Sequence, residues 1–345
     1  MTESLLDRLA SGTVLCAEGY LFELERRGYL QAGAYVPEVV LDRPEIVAAL
    51  HRDFVHAGSD VVEAFTYYAH REKLRLIGRE ADLEPMNRQA LATAATVARE
   101  TGALLAGDVC NTNVWIDGQR PDENGVRAMF MEQVGWAEEA GVDYIIGETF
   151  QFFGEALTAL EVIQSTGLPA VITFGAHQDE LTRDGLTLAE ACRRLQDAGA
   201  AVVGLNCIRG PETMLPLLAG IVDAVDIPVA ALPVPYRTTP AEPTFQSLTD
   251  PDGAPVPEGR AFPVALDPLT CTRYDIAEFT RGALDAGVRY LGLCCGAGPH
   301  HVRAMAEAMG RRPPASRFSA DMTKHAYLGT DPSLRRENLE FAAHL

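Results

Sequence analysis

Ala140-Gly141-Val142-Asp143-Tyr144-Ile145-Ile146-Gly147-Glu148 contains the unit that this chain repeats from end to end. A helix ends on alanine, glycine turns the backbone, and a short apolar run follows that closes on a carboxylate. Glycine just past a helix accepts the left-handed cap conformation that other side chains resist. The same punctuation returns as Ala57-Gly58-Ser59-Asp60, Ala198-Gly199-Ala200 and Ala286-Gly287-Val288. Working outward, eight apolar runs stand out, at 13–18, 60–66, 103–109, 144–148, 170–174, 201–207, 228–232 and 290–295. They are almost continuously hydrophobic, as strands are when both faces are covered. Between them lie stretches with helical spacing, for example 44–56, 87–100, 124–139, 188–198, 274–286 and 300–309. Eight such alternations predict an α/β protein built as a single (β/α)8 TIM barrel over 1–312, with a short C-terminal extension over 313–345. The extension carries a predicted helix at 332–343 and could brace the barrel or a partner subunit in a homo-oligomer. A doubly wound open sheet is the competing architecture. It is disfavoured because no Gly-x-Gly-x-x-Gly turn follows the first run.

The 345 residues carry a formal charge of −19, with 47% hydrophobic and 22% charged residues. That is enough apolar material for one large core. Such a surface repels phosphate backbones and anionic lipid, which argues against nucleic-acid and membrane-surface partners. No apolar run reaches the ~20 residues of a membrane span. Residues 1–12 read as a short amphipathic helix with mixed charges rather than a signal peptide, so a cytoplasmic protein is expected. The seven cysteines are an odd number in a large chain. In a reducing compartment they read as buried thiols, metal ligands or catalytic thiols rather than a disulfide framework. One segment breaks the rhythm. Residues 238–262, after the seventh run, are rich in Pro, Gly, Asp and Thr, and read either as a lid over the barrel mouth or as a disordered insertion.

In a TIM barrel the active site lies at the C-terminal ends of the strands, so the last residue of each run identifies candidates. These are Glu18, Thr66 with Tyr67 and Tyr68, Asp108, Glu148, Asn206 with Cys207, and Cys294 with Cys295. Three soft thiols at one mouth suggest zinc, which in catalytic sites keeps three protein ligands and one open position. Against this, neighbouring residues in a strand point to opposite faces, so Cys294 and Cys295 reach one ion only if the strand ends before them. Gly296 supplies the backbone freedom for that turn. The bland alternative is three buried cysteines acting as small hydrophobes. Glu18 and Glu148 would bind a substrate ammonium or act as bases; salt bridges to loops are the alternative. Tyr35, Tyr67 and Tyr68 offer faces for a cation, whereas Phe152 and Phe153 read as packing. His300 and His301 read as capping or lining the helix after the eighth strand.

These stretches resemble the betaine–homocysteine S-methyltransferases, within the wider homocysteine methyltransferase family. The resemblance runs through Glu18-Gly19, Leu24-Glu25-Arg26-Arg27-Gly28-Tyr29, Phe65-Thr66-Tyr67-Tyr68-Ala69 and Gly204-Leu205-Asn206-Cys207. It continues through Thr272-Arg273-Tyr274-Asp275-Ile276, Gly287-Val288-Arg289-Tyr290-Leu291-Gly292-Leu293-Cys294-Cys295-Gly296 and Pro313-Pro314-Ala315-Ser316. It implies zinc on Cys207, Cys294 and Cys295 at the C-terminal mouth of the barrel. It implies Glu18 and Glu148 on the homocysteine amino group, Tyr68 at the open metal position, and a substrate site that also takes in Gly19, Tyr35, Glu63, Tyr67, Thr149 and Asn206. Tyr35 stands where the betaine enzymes have a tryptophan, Thr149 where they have a tyrosine, and Glu63 where they have a glutamine. The C-terminal arm looks shortened. These departures lie on the donor side or at the interface, so the acceptor is fixed more firmly than the donor.

The expected activity is zinc-dependent transfer of a methyl group from a betaine-type onium donor to homocysteine, giving methionine, with Glu18, Tyr68 and Glu148 as catalytic residues. A sulfonium such as S-methylmethionine, or a larger betaine such as proline betaine, is the alternative donor. Two readings from other classes compete. One is a metal-free barrel lyase or hydrolase using Glu18 and Glu148 as acid and base. The other is a non-catalytic zinc or amino-acid binding protein.

Overall fold

In the computed structural model of the chain, which describes residues 3–116, 122–250, 252, 259–336, 340, 341, 343 and 344, eight parallel strands form one sheet. They are β1 (Val14–Ala17), β2 (Val61–Glu63), β3 (Leu104–Cys110), β4 (Tyr144–Phe150), β5 (Ala170–Phe174), β6 (Val202–Asn206), β7 (Val229–Leu232) and β8 (Tyr290–Leu293). The strand order β1-β8-β7-β6-β5-β4-β3-β2 is that of a TIM barrel, with β1 and β2 meeting at the seam. Every expected strand is present; their ends differ by at most three residues. Three of the differences matter for function. β2 stops at Glu63, β6 at Asn206 and β8 at Leu293, so Cys207, Cys294 and Cys295 all lie just past a strand end.

Strand alternation divides the core in two. Val14 and Cys16, Val61, Leu104 and Ala106, Tyr144 and Ile146, Val202 and Tyr290 pack together inside the barrel, with Leu5 and Leu9 of the N-terminal helix closing the floor. Leu15, Val62, Leu105, Ile145, Val203 and Leu291 face outward into the larger layer between sheet and helices. Tyr144 and Tyr290, both fully buried, satisfy each other through a hydroxyl–hydroxyl bond of 2.8 Å. The N-terminal helix is shorter than the expected 1–12, running from Leu5 to Ser11, because Ser4 and Asp7 form a reciprocal cap at its start. The helix expected at 332–343 falls partly outside the described residues; Arg336, Glu340 and Phe341 are helical, whereas 332–334 are turn and bend.

The carboxylate that recurs before a strand has a definite task. At the β1–β2 seam the Asp60 amide donates to the Leu15 carbonyl at 2.8 Å, and the Leu15 amide donates to Asp60 Oδ2 at 2.8 Å. Arg311 donates to the same Oδ2 at 2.5 Å and also to the Thr13 carbonyl. Asp143 repeats the pattern on Leu105, with distances of 2.8 and 2.7 Å. Asp60→Ala therefore removes an acceptor shared by a backbone amide and a guanidinium, and should lower unfolding free energy by about 2–3 kcal/mol in urea titration. A change below about 0.5 kcal/mol would show that the seam does not depend on it.

Glu155, in the first turn of the helix Phe153–Gln164, accepts from both the amide (2.8 Å) and hydroxyl (2.6 Å) of Thr112, tying the loop after β3 to that helix. Burial pushes its pKa up from 4.5 to about 6. The folded chain thus holds this proton more tightly than the unfolded one. The carboxyl's contribution turns unfavourable as pH rises from about 4.5 through 6, by about 2 kcal/mol in all. Glu155→Gln should gain on the parent by up to that amount between pH 4.5 and 7, measured as the pH dependence of the difference in unfolding free energy. Parallel pH profiles for the two proteins would refute the assignment.

Candidate thiol and carboxylate site

The parity that fills the barrel floor continues to its mouth. Cys16 leads to Glu18 beyond β1, Val61 to Glu63, Ala106 to Asp108 and Cys110, Ile146 to Glu148, Gly204 to Asn206, and Gly292 to Cys294 beyond β8. All of these end-of-strand side chains are buried. Glu18, Glu63, Asp108 and Glu148 share the wall of one small cavity with Tyr67, Cys294 and Cys295.

The three thiols converge as expected. The Sγ atoms of Cys207, Cys294 and Cys295 lie within 4.8 Å of one another, in a group placed to hold a metal ion. The stereochemical objection to a vicinal pair disappears because β8 ends at Leu293. The chain then turns through Gly296, at φ +95°. A side chain on Gly296 would collide with the Tyr236 hydroxyl, which Arg26 fixes at 2.8 Å while also donating to the Gly296 carbonyl at 2.9 Å. The Cys207 thiol is pulled well below its ordinary pKa, chiefly by hydrogen bonds from Cys294 and then Cys295. Cys294 is pushed up, first by burial, and Cys295 is pushed up, first by its bond to Cys207. A soft, buried, three-thiol donor set of this kind suits a thiophilic divalent cation.

Next to the thiols stands an unusual concentration of carboxyl groups. Oxygen atoms of Glu18 and Glu148 lie within 4.8 Å of each other and of the Cys294 sulfur, and oxygens of Glu63, Asp108 and Glu148 form a second such group. Both oxygens of Glu18, one of Glu63 and one of Asp108 are buried without a hydrogen-bond partner. The pKa of each of the four is raised, first by burial, and for Glu18, Glu63 and Glu148 next by the neighbouring carboxylates. Among the described residues, no cationic side chain lines the cavity. Buried carboxylates without a cation are costly, so positive charge brought by a ligand would stabilise them.

Asn206 organises the thiol-facing edge. Its Nδ2 donates to Glu148 Oε2 and, at 2.9 Å, to the Thr149 hydroxyl. Its Oδ1 accepts from the Thr149 amide (2.8 Å) and the Thr173 hydroxyl (2.9 Å). Thr149 spends its own hydroxyl on Glu148, at 3.1 Å. Gly19 lies against the turn after the cysteines, where a side chain would strike the Ala297 carbonyl. Tyr35 and Tyr68 both feel the charge of Cys295, and burial raises each phenol well above its ordinary pKa, so both remain protonated. Tyr68 packs against Tyr67 with centroids 4.2 Å apart and the rings tilted by 40°. Tyr35, Tyr68, Thr149 and Cys207 all adopt positive φ, between 54° and 62°. Such a conformation costs on the order of 1–3 kcal/mol per residue and tends to collect at functional sites.

The residues read as packing behave accordingly. Phe152 and Phe153 contact Trp115 and Arg194. His301 caps its helix, accepting from the Gly298 amide at 3.3 Å and lying 3.0 Å from the Cys271 carbonyl. In the segment 238–262, of which 251 and 253–258 lie outside the described residues, Phe245 stacks on Tyr236 and meets Phe22 and Phe262 at the mouth. Two contributors were missed in the sequence. Thr173 anchors Asn206, and Cys110 accepts from the Tyr68 amide at 3.4 Å. The signal for Cys110 was available: β3 runs one residue further than expected, and alternation puts Cys110 on the same face as Asp108.

Comparison with known proteins gives a consistent picture. The sequence profile described as homocysteine S-methyltransferase matches residues 14–309. Betaine–homocysteine S-methyltransferase 1 of Xenopus tropicalis is 35% identical over 349 residues, spanning 96% of this chain and 83% of that protein. The S-methylmethionine–homocysteine S-methyltransferase of Rattus norvegicus is 35% identical over 325 residues, spanning 90% and 84%. Among solved structures, the metallated form of the homocysteine methyltransferase MmuM from Escherichia coli aligns with a TM-score of 0.68 at 19% identity, covering 87% of this chain and 97% of that one. At that identity the likeness speaks for the fold. Among the described residues, no helix is long and apolar enough to cross a membrane.

Proposed function

Because the chain belongs to the homocysteine S-methyltransferase family, we propose that it transfers a methyl group from an onium donor to homocysteine, giving methionine, with zinc held by Cys207, Cys294 and Cys295. The observation that carries this reading is the close approach of Glu18 and Glu148 to Cys294, beside a three-thiol group. It sets a place for an ammonium next to a place for a sulfur.

Glu18 and Glu148 receive the α-ammonium of homocysteine, and Asn206 and Thr149 hold Glu148 in position for it. The added positive charge relieves the repulsion within the acidic pocket, with Glu63 and Asp108 behind the pair. Zinc, when bound, stabilises a thiolate, so that a homocysteine thiol directed to it loses its proton near neutral pH. The sulfur lone pair then forms the new S–C bond as the donor's C–N or C–S bond breaks, and that bonding pair stays on the departing amine or thioether. Tyr35, Tyr67 and Tyr68 supply the aromatic side of the donor site. Their faces attract the onium charge while their protonated phenols add no charge of their own. Because the donor's charge vanishes in the transition state, the aromatic faces serve mainly to orient it.

A betaine is the first choice of donor. A sulfonium such as S-methylmethionine, or a larger betaine such as proline betaine, is the second reading, favoured by Thr149: its hydroxyl is committed to Glu148 and Asn206. The deciding experiment is methionine formation from homocysteine by zinc-loaded protein with a panel of onium donors. Turnover with one donor class supports the reading and selects the donor. Stoichiometric zinc without turnover on any donor would overturn it in favour of a binding role.

A further inference from the structure

The charged side chains that line the pocket are all acidic, yet betaines and S-methylmethionine all carry a carboxylate. None of the charged side chains lining the cavity can receive it: Glu18, Glu63, Asp108 and Glu148 would all repel it. A cation does stand close by. Lys73 places its ammonium 3.8 Å from the centroid of the Tyr68 ring. Tyr68 in turn packs against Tyr67, which lines the cavity. The line Tyr67–Tyr68–Lys73 thus leads from the cavity wall to the rim.

Three features mark Lys73 out. The chain has only two lysines, Lys73 and Lys324, against 27 arginines. A position that keeps lysine in an arginine-rich chain selects a compact point charge over a flat fork. Its neighbours on the same short stretch are all neutralised: Arg71 pairs with Glu132, Arg75 with Glu72 at 3.0 Å, and Arg79 with Glu38 at 2.8 Å. Lys73 is half-buried and, among the described residues, has no ion pair, although the chain carries 48 acidic residues. Its partial burial also lowers its pKa, the mark of an ammonium deprived of water without a counter-ion in exchange.

We propose that Lys73 is a specificity-determining residue that receives the carboxylate of the methyl donor at the rim of the site, while the onium group lies against the Tyr67 ring that lines the cavity. This rests on the methyl-transfer reading above and refines it: the favoured donors are zwitterions. A donor lacking the carboxylate meets an ammonium already seated on Tyr68 and brings nothing to neutralise it. Lys73 touches no reacting atom, so its effect falls on donor affinity rather than on the chemical step.

The test compares two sulfonium donors with the same transferable methyl group, dimethylsulfonioacetate, which has a carboxylate, and trimethylsulfonium, which does not. For Lys73→Met, the KM for dimethylsulfonioacetate should rise about 10- to 100-fold, the range expected when a charge-assisted contact is lost. Its kcat and the KM for homocysteine should stay within about threefold. The KM for trimethylsulfonium should stay level or fall. Lys73→Arg should recover most of the loss, which a packing role would not predict. Calorimetric binding of both sulfoniums to the zinc-loaded protein reads the same preference without turnover. Equal losses for both donors in Lys73→Met would make Lys73 a mere clamp on Tyr68 and overturn the proposal. Absence of methionine formation by the parent protein, with the binding preference intact, would instead remove the methyl-transfer reading and leave Lys73 as a carboxylate-binding residue.

Discussion

Cys207→Ala is expected to lose stoichiometric zinc and to form methionine at least about a thousandfold more slowly than the parent, while remaining folded. The sulfur removed is the one on which the other two thiols converge, and the one held most readily as thiolate. Two thiols alone provide an incomplete donor set, because a catalytic zinc site needs three protein ligands to leave a single open position. A loss of about 4 kcal/mol in transition-state stabilisation corresponds to that thousandfold. The fold should survive. Cys207 lies beyond β6, at φ +54°, and a smaller side chain there leaves the barrel ladder intact. Zinc content measured with a chromophoric chelator and activity with saturating homocysteine decide the matter together. A variant that forms methionine at the parent's rate without zinc would show that the transfer does not depend on the three-thiol group.

Glu148→Gln should raise the KM for homocysteine by about a hundredfold, with a smaller effect on kcat and no loss of zinc. A charge-assisted hydrogen bond to an ammonium is worth about 2–3 kcal/mol, which sets this magnitude. Stability should move the other way. The pKa of the Glu148 carboxyl is raised first by burial and then by the neighbouring Glu18 and Asp108, and an amide removes one charge from that repulsion. A variant that melts higher and binds homocysteine more weakly is the signature of a residue kept for function at the expense of stability. An unchanged KM would show that the amino group is held elsewhere, and would shift attention to Glu63 and Asp108.

The barrel was legible because its cause is local and repeated. Gly58, Gly141, Gly199 and Gly287 all adopt the positive φ expected after a helix, between 73° and 121°. Apolar runs of strand length follow each of them. Strand ends were less legible. Where a barrel strand stops depends on its neighbour's register, so β2, read to residue 66, ends at Glu63, and β3, read to residue 109, extends to Cys110. The three thiols were named from the sequence, but spacing alone favoured buried hydrophobes over metal ligands. The vicinal pair is resolved only by the fact that β8 ends at Leu293.

The chain's own order of residues therefore determined the architecture, the location of the site at the C-terminal ends of the strands, and the side chains that face the lumen there. These follow from periods of two and of 3.6, which are properties of the backbone within a few residues. The tertiary structure decided the rest. It brought Glu18, Glu63, Asp108 and Glu148, from four different strand ends, into one cation-poor cavity. It turned Tyr35, Tyr68, Thr149 and Cys207 into strained conformations that no propensity favours. It also seated Lys73 on Tyr68. Each of these depends on distances between segments far apart in the chain, set by barrel closure and loop packing, for which a linear sequence carries no local signal.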